Sequence, residues 1–263
     1  MTATGVQHHA RPSVRPAVDR ILVVVPARNE VDRIAGCVTS IIAAADHARD
    51  ELGVDTWIVI AADGCIDDTQ QVAAALLRGC GQVPGQVRGQ VIAGDWRAVG
   101  SARRAGVLAG LTQIQRSEAG DMSDVWIANT DADCQVPSDW LTSQLQHAAR
   151  GADLVLGIVT VDNFDEHPDG VGAIFTHRYL LHADGSHDHV HGANLGVRAD
   201  RYLQAGEWPA ITVSEDHALT HGLLGVGASV VRTIDIAVTT SGRRSGRARG
   251  GFADMLVTLS ESA

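Results

Sequence analysis

Asp124-Val125-Trp126-Ile127-Ala128-Asn129-Thr130-Asp131-Ala132-Asp133-Cys134 is an apolar run that stops abruptly at two carboxylates separated by one residue. Short, bounded and centred on Val-Trp-Ile, it reads as a buried strand. Strand alternation sends Asp131 and Asp133 to the same side, and at the carboxyl end of a strand both reach the crevice where open α/β sheets bind ligands. Two oxygen donors this close repel unless a hard cation such as Mg²⁺ or Mn²⁺ sits between or beside them. An isolated Asp-x-Asp is also common as a solvated turn or a helix cap before Pro137, so the metal reading depends on the rest of the chain.

Working outward, the same sequence of strand, loop and helix recurs. Arg20 to Val25 is a β-branched run ending at Pro26, and Ile34, Val38, Ile41, Ile42 and Ala45 follow at helical spacing, with Asn29 as the expected cap. Pro26-Ala27-Arg28-Asn29-Glu30 is thereby left as a loop at a strand's carboxyl end. Thr56 to Ala62 repeats the pattern and opens onto Asp63-Gly64-Cys65-Ile66-Asp67-Asp68-Thr69, then a helix through Leu77. A short strand at Val91-Ile92-Ala93 precedes Gly100-Ser101-Ala102-Arg103-Arg104-Ala105-Gly106, a helix start with Ser101 as its cap. Strands and helices in this alternation imply an α/β protein with a doubly wound, mostly parallel central sheet flanked by helices.

Beyond a helix from Asp139 to Ala149 and an apolar run from Leu154 to Val161, the character changes. Residues 162 to 192 are polar around a short helix, Val171 to Leu181, and carry His187, His189 and His191 in alternation. A hydrated loop explains those histidines more simply than a transition metal, since no cysteine joins them. Ala193 to Val197 reads as a strand, with Gly192 and Asn194 where backbone could approach a ligand. Ser214-Glu215-Asp216-His217 opens a helix, Ser214 or Glu215 satisfying its first N–H groups. A strand pair is expected over Ser229 to Val238. Ser241 to Gly251 then interleaves four arginines with four glycines, a segment expected to stay loose until an anion supplies partners for its guanidinium groups.

Composition narrows the function. With 263 residues and 45% hydrophobic content the chain can bury a sizeable core. Its formal charge of −10 argues against nucleic acid as a partner. All 21 basic residues are arginine, so a Walker P-loop or a pyridoxal Schiff base is excluded. Cys37, Cys65, Cys80 and Cys134 form no Cys-x-x-Cys pair, which suggests neither zinc nor a disulfide framework. No apolar run approaches a membrane span and residues 1–19 read as a frayed arm without a signal peptide's apolar middle, so a cytoplasmic location is expected.

Taken together, Val23 to Glu30, Asp63 to Thr69, Gly100 to Arg103, Thr130 to Asp133 and Glu215-Asp216 resemble, in that order, the motifs of the family 2 glycosyltransferases. The resemblance spans roughly residues 20 to 250 and implies a GT-A fold, a nucleotide-diphosphate sugar donor and inversion at the anomeric carbon. It implies a nucleotide-sugar-binding half at 20–150, an acceptor-binding half at 151–240, a flap at 241–251 and a tail at 252–263. Pro26, Ala27, Arg28 and Glu30 would lie against base and ribose, Asp63 against the base edge, and Arg103 near base or diphosphate. Asp131 would face ribose or metal, and Asp133 would be the main ligand of Mg²⁺ or Mn²⁺. Asp216 resembles the general base, with Glu215 beside it; His191 and Asn194 are candidate contacts of a small-molecule or glycan acceptor. Arg243 and Arg247 are candidates for the donor phosphates.

The Gln-x-x-Arg-Trp motif and membrane helices of the family's processive synthases are missing, which implies transfer of a single sugar. Two alternatives remain at this level: a sugar nucleotidyltransferase, which releases pyrophosphate rather than a nucleoside diphosphate, and a non-catalytic nucleotide-sugar-binding protein. Donor base, sugar, acceptor and oligomeric state are open.

Overall fold

The computed structural model describes residues 17–80, 87–117, 120–179, 182–246 and 251–261. Residues 1–16 of the N-terminal arm and 247–250 of the Arg/Gly-rich segment, Arg247 included, lie outside them. Seven strands form one sheet: β1 (Arg20–Ala27), β2 (Asp55–Asp63), β3 (Arg88–Gly94), β4 (Val125–Asn129), β5 (Leu154–Val161), β6 (Leu195–Arg198) and β7 (Val230–Thr240), in the order β3-β2-β1-β4-β6-β5-β7. All neighbours run parallel except β6, which is antiparallel to both β4 and β5.

The inner strands β1, β2 and β4 are apolar almost throughout because helices cover both faces. On one face lie α1 (Ile34–Leu52), α2 (Thr69–Arg78) and α4 (Trp140–Ala149); on the other lie α3 (Val99–Ser117), α6 (Ala199–Gln204) and α7 (Glu215–Gly225). Helix α1 shows the sequence logic: Ile34, Val38, Ile41, Ala45 and Ala48 recur at three- and four-residue spacing and are fully buried. Each large aliphatic side chain buried this way contributes about 1.5–3 kcal/mol. Helix α3 sits unusually close to β1, because a Cβ on Gly106 or Gly110 would lie 2.6 Å from Val24 or 2.2 Å from Leu22. That closeness sets where Arg103, on the same helix, can reach.

From β1 the chain steps outward to β2 and β3, then returns to β4 on the other side of β1. The crevice of such a sheet opens above the carboxyl ends of the strands at that reversal. The pairings Ala27 with Ala62 and Asp63 with Gly94 end β1, β2 and β3 nearly level, while β4 stops earlier, at Asn129 opposite Val24, and its following turn rises toward the same rim.

Several local expectations change. Helix α1 begins at Ile34 with no side-chain cap; Asn29, at φ 53°, instead accepts the backbone N–H of Ile66 from the loop after β2. Helix α3 starts at Val99, which puts Ser101 inside it. Ser214 precedes α7 in a left-handed conformation and makes no capping bond. Residues 192–194 form a 3-10 turn rather than strand. The expected strand pair is one strand, β7, whose register against β5 jumps between Leu156–Arg232 and Ile158–Ala237. The expected tail forms α8 (Phe252–Ser260), whose buried Leu256 and Leu259 pack on Val171 and Phe175 of α5 (Val171–Arg178). Phe252, Leu256 and Leu259 are one apolar helix stripe, enough to restart a helix after the glycines.

Candidate active site

The loops after β1 and β2 are tied to each other before they meet any ligand. Glu30 N–H donates to Thr69 Oγ1 at 2.7 Å, Val31 N–H to Asp67 Oδ2 at 3.3 Å, and Cys65 Sγ–H to the Ala27 carbonyl at 3.4 Å. Asp63, 6% exposed, accepts the N–H groups of Trp96 and Arg97 on Oδ1 at 2.6 and 3.0 Å. Its Oδ2 lies 3.9 Å from Arg28 Nη1, so one oxygen holds the loop after β3 and the other faces the rim.

At the end of β4, strand alternation does not aim the two carboxylates. The strand stops at Asn129, and Asp131 to Cys134 form a turn in which the Asp131 carbonyl accepts Cys134 N–H at 3.1 Å. That turn brings a ligand atom each from Asp131, Asp133 and Cys134 within 4.8 Å of one another. The Cys134 thiol is fully buried and held protonated, its pKa pushed well up by burial and then by Asp133 and Asp131. The donor set is therefore two carboxylates. Asp133 is pushed up to about 6, first by burial and then by Asp131, against the pull of Arg243.

Arg243 answers that excess of negative charge. Its Nη1 and Nη2 donate to the two carboxylate oxygens of Glu30 at 2.6 and 2.7 Å, and Nη2 lies 3.0 Å from Asp133 Oδ2. Asp162 accepts Gly242 N–H at 2.8 Å, and Glu166 accepts Arg244 N–H at 2.9 Å. Residues 242–244 are thus anchored by protein carboxylates, contrary to the expectation of a segment loose until an anion arrives. A cation already rests on Asp133 and Glu30, as close-set buried carboxylates require. The oxygen-only pair Asp131/Asp133 fits Mg²⁺ or Mn²⁺ by the chemistry of its donors.

Across the crevice, Arg103 is 1% exposed and cannot face a ligand directly. Its Nη1 donates to the Gly192 carbonyl at 2.6 Å, its Nη2 pairs with Asp131 Oδ1, and its guanidinium lies 4.9 Å from the Trp208 ring. Gly192 N–H donates to Asp216 Oδ2 at 3.0 Å, while Asp216 Oδ1 accepts His217 N–H at 2.8 Å. Glu215 is 7% exposed beside Gly100 and Arg103, its pKa raised by burial against the pull of Arg103. Beside the α7 N-terminus an open cleft of about 600 Å³ is lined by Val190, Ile211, Ser214, His217, His221 and Arg232, among others.

A family model, glycosyl transferase family 2, matches residues 22–200. The chain belongs to that family. No curated protein sequence matches it. Among solved structures, S. aureus TarS 1-349 in complex with UDP-GlcNAc is 15% identical with a TM-score of 0.58 over 91% of this chain and 65% of that one. A second TarS 1-349 structure gives 14%, 0.54, 84% and 60%. The mannosyltransferase PcManGT from Pyrobaculum calidifontis, in complex with GDP-Man and Mn²⁺, gives 15%, 0.56, 96% and 73%. These likenesses establish the GT-A fold, and the chain spans less than two thirds of the TarS chains.

Within the family 2 fold, the expected residues separate into those at the crevice and those behind it. Arg28, Glu30, Asp63, Asp131, Asp133 and Arg243 converge on one rim, with Pro26 and Ala27 forming the end of β1 beneath it. Asn194 does not belong there. It is 1% exposed; Nδ2 donates to the carbonyls of Ile158 and Ile236 at 2.8 and 3.0 Å, and Oδ1 accepts Trp140 Nε1–H at 3.0 Å. Those carbonyls are freed by the register jump between β5 and β7, so Asn194 is a structural residue and not an acceptor contact.

His191 is likewise engaged inward. Tyr179 accepts Val159 N–H at 3.0 Å, and its hydroxyl is hydrogen-bonded to His191 Nε2 at 2.9 Å. Burial first, then His189, push His191 down to about 4, against the pull of Asp216. His187, His189 and His191 stack in a ladder with Tyr179, and the described residues offer no metal-ligand group among them. Tyr179 and Trp208 carry the positions of His191 and Arg103, yet neither stands near a motif in the sequence. The alternation of the three histidines was the only signal, and it pointed to one face of an extended segment.

Proposed function

We propose that the chain is an inverting glycosyltransferase that moves one sugar from a nucleotide-diphosphate sugar to an acceptor hydroxyl, with metal assistance and Asp216 as general base. The observation that carries this reading is the facing arrangement of Asp131/Asp133 at the β4 end and Asp216 at the α7 start, joined through Arg103 and Gly192. Asp131 and Asp133 hold Mg²⁺ or Mn²⁺, which when bound supplies Lewis-acid neutralisation of the leaving diphosphate.

The chain's own residues do the rest. The rim-facing Oδ2 of Asp63, beside Arg28, meets the base edge, and Arg243 turns from Glu30 and Asp133 to the phosphates, releasing Glu30 to the ribose. The half from 151 to 240 receives the acceptor along the cleft beside α7. Asp216 takes the hydroxyl proton as the oxygen attacks the face opposite the diphosphate; each carboxylate oxygen accepts one backbone N–H and keeps a lone pair for that proton.

UDP-GlcNAc and GDP-Man, the ligands in the TarS and PcManGT complexes, are the first donors to try. With Mn²⁺ present, turnover should release a nucleoside diphosphate from one of them, water serving as a slow acceptor. Release of pyrophosphate from a nucleoside triphosphate and a sugar 1-phosphate, with no nucleoside diphosphate formed from either nucleotide sugar, would make the chain a nucleotidyltransferase. Binding without any turnover would make it a binding protein.

A further inference from the structure

Arg103 sits between the two acidic stations and touches the solvent on neither side. It is 1% exposed on α3, with one arm on Asp131 and the other on the Gly192 carbonyl, stacked 4.9 Å from Trp208. Gly192 passes the constraint on, because its N–H is the donor that fixes Asp216 Oδ2. The fit is close: a Cβ on Gly192 would lie 2.3 Å from Arg103 Nη1 and 2.7 Å from Cζ. Helix α7 is clamped to α3 at the same place, where a Cβ on Gly100 would meet the Pro209 carbonyl at 2.2 Å and Glu215 Cβ at 3.2 Å.

A planar fork with two donors at fixed separation can hold a carboxylate and a carbonyl in one geometry; an ammonium on a flexible stem cannot. We infer that Arg103 is a positioning residue, which through Gly192 sets the place of Asp216 relative to the cation-binding carboxylate Asp131. The inference rests on the reading of Asp216 as general base. Its consequence is that the register between donor and base is fixed by buried contacts before either substrate arrives. Small displacements of a reacting group are costly, with about 1 Å worth up to 10²-fold in rate.

Four variants test this: R103K, G192A, the double variant and D216N. For each, donor affinity is measured by calorimetry with UDP-GlcNAc or GDP-mannose plus Mn²⁺, turnover as nucleoside-diphosphate release, and folding by thermal melting. R103K and G192A should each lower kcat by about 10–100-fold with donor affinity retained. In the R103K background the methyl of G192A no longer meets a rigid guanidinium, so its effect on kcat should largely disappear. Additive effects on kcat would overturn the inference, as would losses confined to donor or Mn²⁺ affinity. D216N with wild-type turnover would remove the base reading and the inference with it; an inactive D216N beside additive R103K and G192A removes the inference alone. If R103K does not fold, R103Q replaces it, and the same non-additivity is expected.

Discussion

The donor rim and the acceptor side are assembled differently. Glu30 and Asp133 hang on the loops that follow β1 and β4, and Asp63 ends β2, all in the parallel run β2-β1-β4. Asp216 is instead held by Gly192 of the 192–194 turn, which Arg103 of α3 holds in its place from 89 residues away in the chain. The rim is a set of carboxylates that repel and demand a cation, and in the ligand-free chain Arg243 provides one. The acceptor side is a set of hydrogen bonds already satisfied within the protein. This contrast predicts that substitutions at the rim change ligand affinity, those at Asp216 and at Arg103 and Gly192 behind it change rate, and those at the buried Asn194 and His191 change stability.

The largest effect should come from Asp216→Asn. Turnover should fall by about 10²–10⁴-fold, the usual loss for a positioned base, with donor affinity preserved in calorimetry. Loss of donor binding at unchanged kcat would move the base elsewhere, Glu215 being nearest in sequence.

Arg243→Ala separates the two roles of the rim. Removing the competing guanidinium should tighten Mn²⁺ binding in the absence of nucleotide by roughly tenfold, the equivalent of about 1.5 kcal/mol for a charge-assisted contact. Affinity for the nucleotide sugar should move the other way. Parallel changes would show that Arg243 only braces the fold.

How much of this was legible in the sequence follows from the same contrast. Parallel βαβ order, the loop motifs and the acidic pair at Asp131/Asp133 are local features, each readable from residues adjacent to one strand. Asn29, Ser101 and Ser214 have the right chemistry for helix caps, but a tertiary contact claims the first, the second falls inside α3, and the third stands at the start of α7 in a left-handed conformation that makes no capping bond. Asn194 and His191 looked like site residues because they are polar and follow a polar stretch. Their partners Trp140, Ile158, Ile236 and Tyr179 exist only once the β5–β7 irregularity is formed. Arg103 was recognised as important, yet its direction depends on how closely α3 approaches β1.

That distinction is testable at moderate cost to the fold. Asn194→Ala leaves two carbonyls and the Trp140 N–H without their partner, and should destabilise by about 2–3 kcal/mol. The Tm should fall by roughly 4–10 °C, with KM for any acceptor unchanged in the surviving folded enzyme. A raised KM at unaltered Tm would return Asn194 to the acceptor site.

The smallest effect concerns His191, whose pKa burial lowers from 6.5 to about 4. Between those values the unfolded chain binds the proton and the folded chain does not, so stability falls as pH drops through that window. Melting curves of wild type and His191→Gln across it should show a shallower acid slope for the variant. Identical slopes would contradict a neutral, inward-facing His191.

The most direct test of the central assignment is a crystal structure with Mn²⁺ and either UDP or GDP. The account predicts the ion on Asp133, the diphosphate beside it at the carboxyl ends of β1 and β4, and Arg243 displaced from Glu30. A nucleotide bound elsewhere, or an ion absent from Asp133 with the Arg243–Glu30–Asp133 contacts intact, would contradict it.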